Sequence, residues 1–272
     1  MTIEKEVSII FGILDSGAGG LLAAKKLHEI CPCADIIYYG DSANMPYGSK
    51  SSEEIIKLSK KSAEHLVSQG ADAILIACGT VSSVALTELR SLYNIPFFGV
   101  IEKAAQTAAE KTKTGRIGII STPATMKSGA FKNSIKALGK DCIIEEASSD
   151  KLAEMLERKK ATLSEITNEI AYCTKNLREA QIDTLILGCT HFPLAIEEFK
   201  KALPGVSLID SGACAAEEIA QSTGAYKAEK EQKAKNIEGK LIIQTSGEAQ
   251  IFQTIADELF GKDKLIVTKL CL

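Results

Sequence analysis

The stretches DAILIACGTVSS (Asp72–Ser83) and DTLILGCTHFPL (Asp183–Leu194) decide the fold. Each opens on an aspartate, runs through a short apolar stretch, and breaks at a cysteine followed by small polar residues. An apolar run of this length without polar alternation suits a strand whose sheet is covered by helices on both faces. Each cysteine therefore stands just past the carboxyl end of a buried strand, where open parallel sheets bind ligands.

Working outward, a second matched pair precedes the first. FGILDSGAGG (11–20) parallels IGIISTPATM (117–126), and Gly12 leads Cys78 by about as many residues as Gly118 leads Cys189. Strands are expected at 7–14, 36–39, 73–77, 96–100, 116–120, 141–144, 184–187, 206–209 and 240–245. Helices are expected at 20–29, 52–69, 82–92, 102–111, 127–138, 163–180, 194–202, 213–222 and 250–259. This alternation and the internal repeat predict two similar three-layer α/β domains with mainly parallel sheets. Pseudo-two-fold symmetry relates them, and the active site lies in the cleft between. The first domain comprises 1–98 with 212–272, and the second 99–211. The tail's strand and helix could not bury an apolar face alone, so the tail is expected to return to the first half. The charged run Tyr226–Lys240 reads as a solvated helix or linker.

Composition narrows the function classes. The chain has 272 residues, a net charge of -3, 45% apolar and 25% charged residues. These values fit a globular protein and leave no basic footprint for nucleic acid. No apolar run approaches the roughly 20 residues needed to span a bilayer, and Met1–Val7 does not read as a signal peptide. Eight cysteines occur without a CxxC pair, and Cys31 and Cys33 flank Pro32 too tightly for a zinc knuckle. A cytoplasmic protein with reduced thiols is expected.

Polar clusters follow the apolar runs at 15–20, 40–50, 78–83, 121–128, 188–193 and 210–212. Helix starts there would offer free backbone N–H groups to a carboxylate or a phosphate. Burial as a small apolar residue is the commoner fate of a free cysteine. Cys78 and Cys189 depart from it because they hold equivalent places in the repeat. Each also precedes a helix start, whose dipole is expected to lower a thiol from its usual value of about 8.5. Facing each other across a cleft, they would each serve one face of a substrate carbon. His191 fits a core histidine, a zinc ligand with Cys189, or that thiol's acid/base partner. Asp15 fits a turn cap, or a group that orients or deprotonates Cys78. Neither GxxxxGK[ST] nor GxSxG occurs, and no pyridoxal-lysine motif is apparent.

At these residues the chain resembles the glutamate racemases of the aspartate/glutamate racemase superfamily. The strings ILDSGAGGL, YYGDSANMPYGSKS, ILIACGTVSS, LILGCTHFPL, LIDSG and QTSGEAQIFQTIADELFG carry the likeness across most of residues 9–261. The resemblance implies a cofactor-independent racemase, with Cys78 and Cys189 as opposed acid/base residues and Asp15 and His191 supporting them. Substrate contacts would fall on Asp15, Ser16, Pro46, Tyr47, Gly48, Gly79, Thr80, Thr122, Thr125, Thr190 and His191. It further implies glutamate as the small-molecule substrate and D-glutamate for peptidoglycan as the product. No metal, nucleic acid or membrane is expected; a homodimer is simply the commonest assembly.

Departures stand beside the likeness. Gly79 replaces the asparagine that usually follows the first cysteine, and Phe131 stands where tyrosine is expected. An acidic residue of the second domain corresponds to Glu154 or Glu157, unassigned between them. The rivals are an aspartate or other amino-acid racemase, another isomerase or decarboxylase of the superfamily, a non-catalytic carboxylate-binding protein, and a thiol hydrolase using Cys189 with His191.

Overall fold

The computed structural model describes residues 9–225, 239–262 and 264–272. Two sheets organise them, and every strand pair is parallel. The first holds β1 (Ile10–Asp15), β2 (Asp35–Gly40), β3 (Ala73–Ile76), β4 (Phe97–Gly99), β9 (Leu241–Thr245) and β10 (Val267–Lys269), in the order β10-β9-β2-β1-β3-β4. The second holds β5 (Arg116–Ser121), β6 (Ile143–Ser148), β7 (Thr184–Leu187) and β8 (Ser207–Asp210), in the order β6-β5-β7-β8. The orders β2-β1-β3-β4 and β6-β5-β7-β8 are the same pattern. Gly12 lies opposite Ile74 and Gly118 opposite Leu185, each partner standing four residues before its cysteine. The repeat read in the sequence is thus a repeat of topology and register.

Helices α1 (Leu21–Ile30), α5 (Glu102–Lys111) and α12 (Ser211–Ser222) join the two sheets. They share one apolar cluster with Phe11, Ile13 and Leu75 of the first sheet and Ile117, Ile119 and Ile186 of the second. Alternate residues turn outward, as the period of two requires. Leu14, Ile74 and Ile76 pack beneath α2 (Ser52–Ser68), α3 (Gly79–Val84) and α4 (Leu86–Leu92). Ile120, Leu185 and Leu187 pack beneath α8 (Leu152–Arg158), α9 (Leu163–Cys173), α10 (Lys175–Glu179) and α11 (Ile196–Ala202).

The tail does return: β9 pairs with β2, and the helix α13 (Ala249–Phe260) packs on α1. The expected linker at 226–238 and the opening Met1–Val7 lie outside the described residues. Among the described residues, no helix is long and apolar enough to cross a membrane.

Several boundaries differ from expectation. The helix expected at 127–138 is two, α6 (Pro123–Ser128) and α7 (Ala130–Ala137), broken where Gly129 takes a left-handed φ of 65°. The helix expected at 163–180 breaks at Thr174. Strand β6 begins later than expected and runs through Glu145 and Glu146, because it is an edge strand with a half-exposed face. Helix α8 and strand β10 were not expected at all.

Candidate active site

The first loop folds around Asp15, the last residue of β1. Its carboxylate accepts Ser16 N at 2.8 Å, Gly20 N at 2.7 Å and the Tyr38 hydroxyl at 3.0 Å. These bonds curl the loop over the strand end and bring Ser16 Oγ to 3.2 Å from Cys78 Sγ. Asp15, in the sequence reading a substrate contact and a group acting on Cys78, is buried with its oxygens bonded to the loop and Tyr38, and its charge does act on Cys78. Burial pushes the Asp15 carboxyl up to about 6, against the lowering effect of the His191 charge and the two N–H bonds.

Cys78 sits in extended backbone immediately before α3. Burial, reinforced by the Asp15 charge and by Cys189, pushes its thiol up to about 12, while the Ser16 bond and Val81 N–H pull the other way. The expected lowering is therefore reversed. Helix α3 is only six residues long, and loss of water outweighs its dipole.

Cys189 follows β7 in the equivalent place. Its Sγ lies 3.8 Å from His191 Nδ1, and His191 Nε2 lies 2.5 Å from Glu157 Oε2. The same Glu157 oxygen accepts Ala18 N at 3.1 Å, so α8 of the second sheet ties into the loop of the first. Burial would push His191 down, but its bonds to Cys189 and Glu157 and their charges carry it well above its usual value. Burial would likewise push Glu157 up, and the His191 bond and charge hold it below the carboxylate range instead. Glu154, nearly one helical turn earlier, is exposed and pairs with Arg158. Both glutamates face the same cavity, but only Glu157 is buried and bonded to His191.

Hydroxyls bridge the seam between the halves. Thr80 Oγ1 lies 3.1 Å from Thr122 Oγ1 and 3.4 Å from Thr125 Oγ1, and those two lie 2.9 Å apart. Thr122 also caps α6. On the far wall, the Asp41 carboxylate accepts the Tyr47 hydroxyl at 2.7 Å, the Ser246 hydroxyl at 2.6 Å and the Asn44 amide at 3.0 Å. Those bonds fasten the loop carrying Pro46, Tyr47 and Gly48 to the returning tail.

The two cysteine turns, the threonine seam and the Tyr47 loop surround one cavity of about 800 Å³. Cys78, Cys189, Ser16, Pro46, Tyr47, Gly48, Gly79, Thr80, Thr122, Thr125, Thr190 and His191 line it, so every expected site residue except Asp15 reaches it. Glu154, Glu157 and Ser246 line it too; Ser246 had no place in the sequence reading, nor did Tyr38, which braces the cavity from behind. Among the described residues, no group of three or more His, Cys, Asp or Glu side chains is arranged to hold a metal ion.

The fold and the cavity define a class: a two-sheet α/β protein with a thiol from each repeat facing a common cavity at the strand ends. Comparison with known proteins narrows it. The family model described as Asp/Glu/hydantoin racemase matches residues 22–219. A glutamate racemase of Persephonella marina is 37% identical, covering 96% of this chain and 98% of its own. One of Desulforudis audaxviator is 34% identical, covering 96% and 97%. A solved glutamate racemase isoform of Bacillus anthracis superposes with a TM-score of 0.87 at 32% identity, covering 97% of each chain. The chain belongs to the Asp/Glu/hydantoin racemase family.

Proposed function

We propose that the protein is a glutamate racemase, an isomerase that interconverts L- and D-glutamate with Cys78 and Cys189 as its two acid/base groups. One observation carries the two-thiol reading: thiols from equivalent strand ends of the two repeats line one cavity, each with its own polar support. The relatives named above, and a Francisella tularensis glutamate racemase solved with D-glutamate at 27% identity and a TM-score of 0.82, favour glutamate.

Inversion takes the α-proton from one face and returns another proton to the opposite face. One sulfur, as thiolate, accepts the α-proton and becomes a thiol. The opposed thiol donates its own proton to the carbanion and becomes the thiolate, so the pair ends exchanged. Such a pair contributes about 10²–10⁴-fold per proton transfer. The threonine hydroxyls and loop N–H groups would hold the carboxylates and the charge that spreads onto one of them. His191, charged and anchored on Glu157, can donate Nδ1–H toward the Cys189 sulfur.

The product would be D-glutamate for peptidoglycan, made in the bacterial cytoplasm. We place the first domain at 1–98 with 212–272 and the second at 99–211, a division supported by the pairing of β9 with β2. A hydrolase reading draws on the Cys189–His191–Glu157 chain, yet leaves Cys78 without a task. Circular dichroism of L-glutamate incubated with the purified protein, without added cofactor, is the test. Decay of the signal to zero is expected; an unchanged signal together with cleavage of an amide or ester substrate would reverse the choice.

A further inference from the structure

The two cysteine loops touch through glycine. Gly79 follows Cys78, and Gly188 precedes Cys189. A Cβ built on Gly79 would lie 2.4 Å from the Gly188 carbonyl oxygen, with Thr125 Oγ1 next at an ordinary 3.4 Å. Gly79 is the first residue of α3 and has no positive φ, so its backbone would accept any side chain. Only the oxygen across the seam excludes one.

That oxygen has no easy retreat. Gly188 N donates to Ile120 O at 2.8 Å, which fastens the turn to β5. Behind it, a Cβ on Gly188 would meet the Phe131 ring at 2.7 Å and Ile120 O at 3.2 Å. Phe131 is itself buried. The turn is thus pinned from its own side, and the approach of α3 ends on its carbonyl.

We infer that Gly79 is a spacing residue: its bare backbone seats on the Gly188 carbonyl, and this stop fixes how far Cys78 stands from Cys189. The inference rests on the racemase reading. Polar work at this point of the seam falls to the hydroxyls of Thr80, Thr122 and Thr125.

A misplacement of about 1 Å can cost about 10²-fold in rate. Gly79→Ala should therefore slow racemisation by at least about tenfold. The informative readout is the fate of the α-proton. In deuterated water, a widened gap lets one thiol exchange the proton and return deuterium to the same face. The ratio of exchange with retention to inversion should rise in Gly79→Ala, whereas a general loss of folded protein lowers both alike. Short-reach and long-reach bifunctional thiol reagents, with the joined peptides mapped by mass, measure the gap itself. The wild type should join Cys78 to Cys189 with the short reagent, and Gly79→Ala should need the longer one. An unchanged ratio and an unchanged reagent preference in a folded Gly79→Ala overturn the inference. If that variant does not fold, Phe131→Leu, which thins the ring behind Gly188 and lets the stop recede, goes through the same two measurements, and an unchanged ratio and preference there overturn the inference. If the wild type inverts no glutamate yet crosslinks as expected, the racemase reading fails and the spacing stands.

Discussion

Glu157 Oε2 lies 2.5 Å from His191 Nε2, with side chains only 6% and 4% exposed, and this buried pair links α8 to the Cys189 turn. Glu157→Gln would leave the imidazolium without its counter-charge. Breaking such a pair costs about 3–5 kcal/mol. The pH window follows from the signs. The Glu157 contribution, from a lowered carboxyl, is present above its usual 4.5 and lost as pH falls through its folded value. The His191 contribution, from a raised imidazole, is complete below its usual 6.5 and lost as pH rises through its folded value. Urea denaturation should therefore show the largest wild-type advantage between pH 4.5 and 6.5.

Cys78 answers to two neighbours of opposite effect. Ser16 lowers its thiol by hydrogen bonding, and the Asp15 charge raises it. Ser16→Ala should shift Cys78 ionisation to still higher pH, and Asp15→Asn should shift it lower. The rate of Cys78 alkylation at one fixed pH, which follows its thiolate fraction, checks both, with Cys78→Ala as the blank. Shifts in the same direction for both variants would contradict this arrangement.

Removing either sulfur should separate the two half-reactions. Cys78→Ala and Cys189→Ala are each expected to abolish inversion. Each should still exchange the α-proton of one enantiomer with deuterated water, and the two variants should prefer opposite enantiomers. Proton NMR of L- and D-glutamate reads this directly. Near-wild-type inversion in either variant would sink the two-thiol scheme.

Ser246 donates to Asp41 at 2.6 Å and accepts Ala43 N at 3.0 Å. Ser246→Ala removes both bonds, which are worth about 1 kcal/mol each. The loop bearing Tyr47 should loosen, raising KM several-fold while kcat changes little. Equal falls in kcat and kcat/KM would show that Ser246 acts on the chemistry instead.

Much of this site was legible in the sequence because it lies where apolar runs end. Cys78 and Cys189 are each marked by a buried strand, and the repeat pairs them; α3 starts right after Cys78, whereas Cys189 is followed by a turn and a short 3-10 helix at Phe192–Ala195. Glu157 was not separable from Glu154. Three residues apart on one helix, they share almost one face, and only the packing of α8 against the first loop buries one and exposes the other. Asp15 was placed correctly at a strand end, but nothing in its neighbours foretold that Ser16 N, Gly20 N and Tyr38 would absorb its oxygens. Tyr38 itself reads as one more apolar strand residue, since its hydroxyl works on a loop that precedes it. The thiol shift at Cys78 was misjudged because a helix start is visible in sequence, whereas the depth at which it is buried is not.

The strand order also dictates a sequence of assembly. Strands β5 to β8 are contiguous in the chain, so their sheet is complete once residue 210 has emerged from the ribosome. The other sheet, begun first, waits for β9 and β10 near the carboxyl terminus. Until those arrive, β2 is an unprotected edge able to pair with other chains. Translation that stalls before residue 241 would leave that edge open.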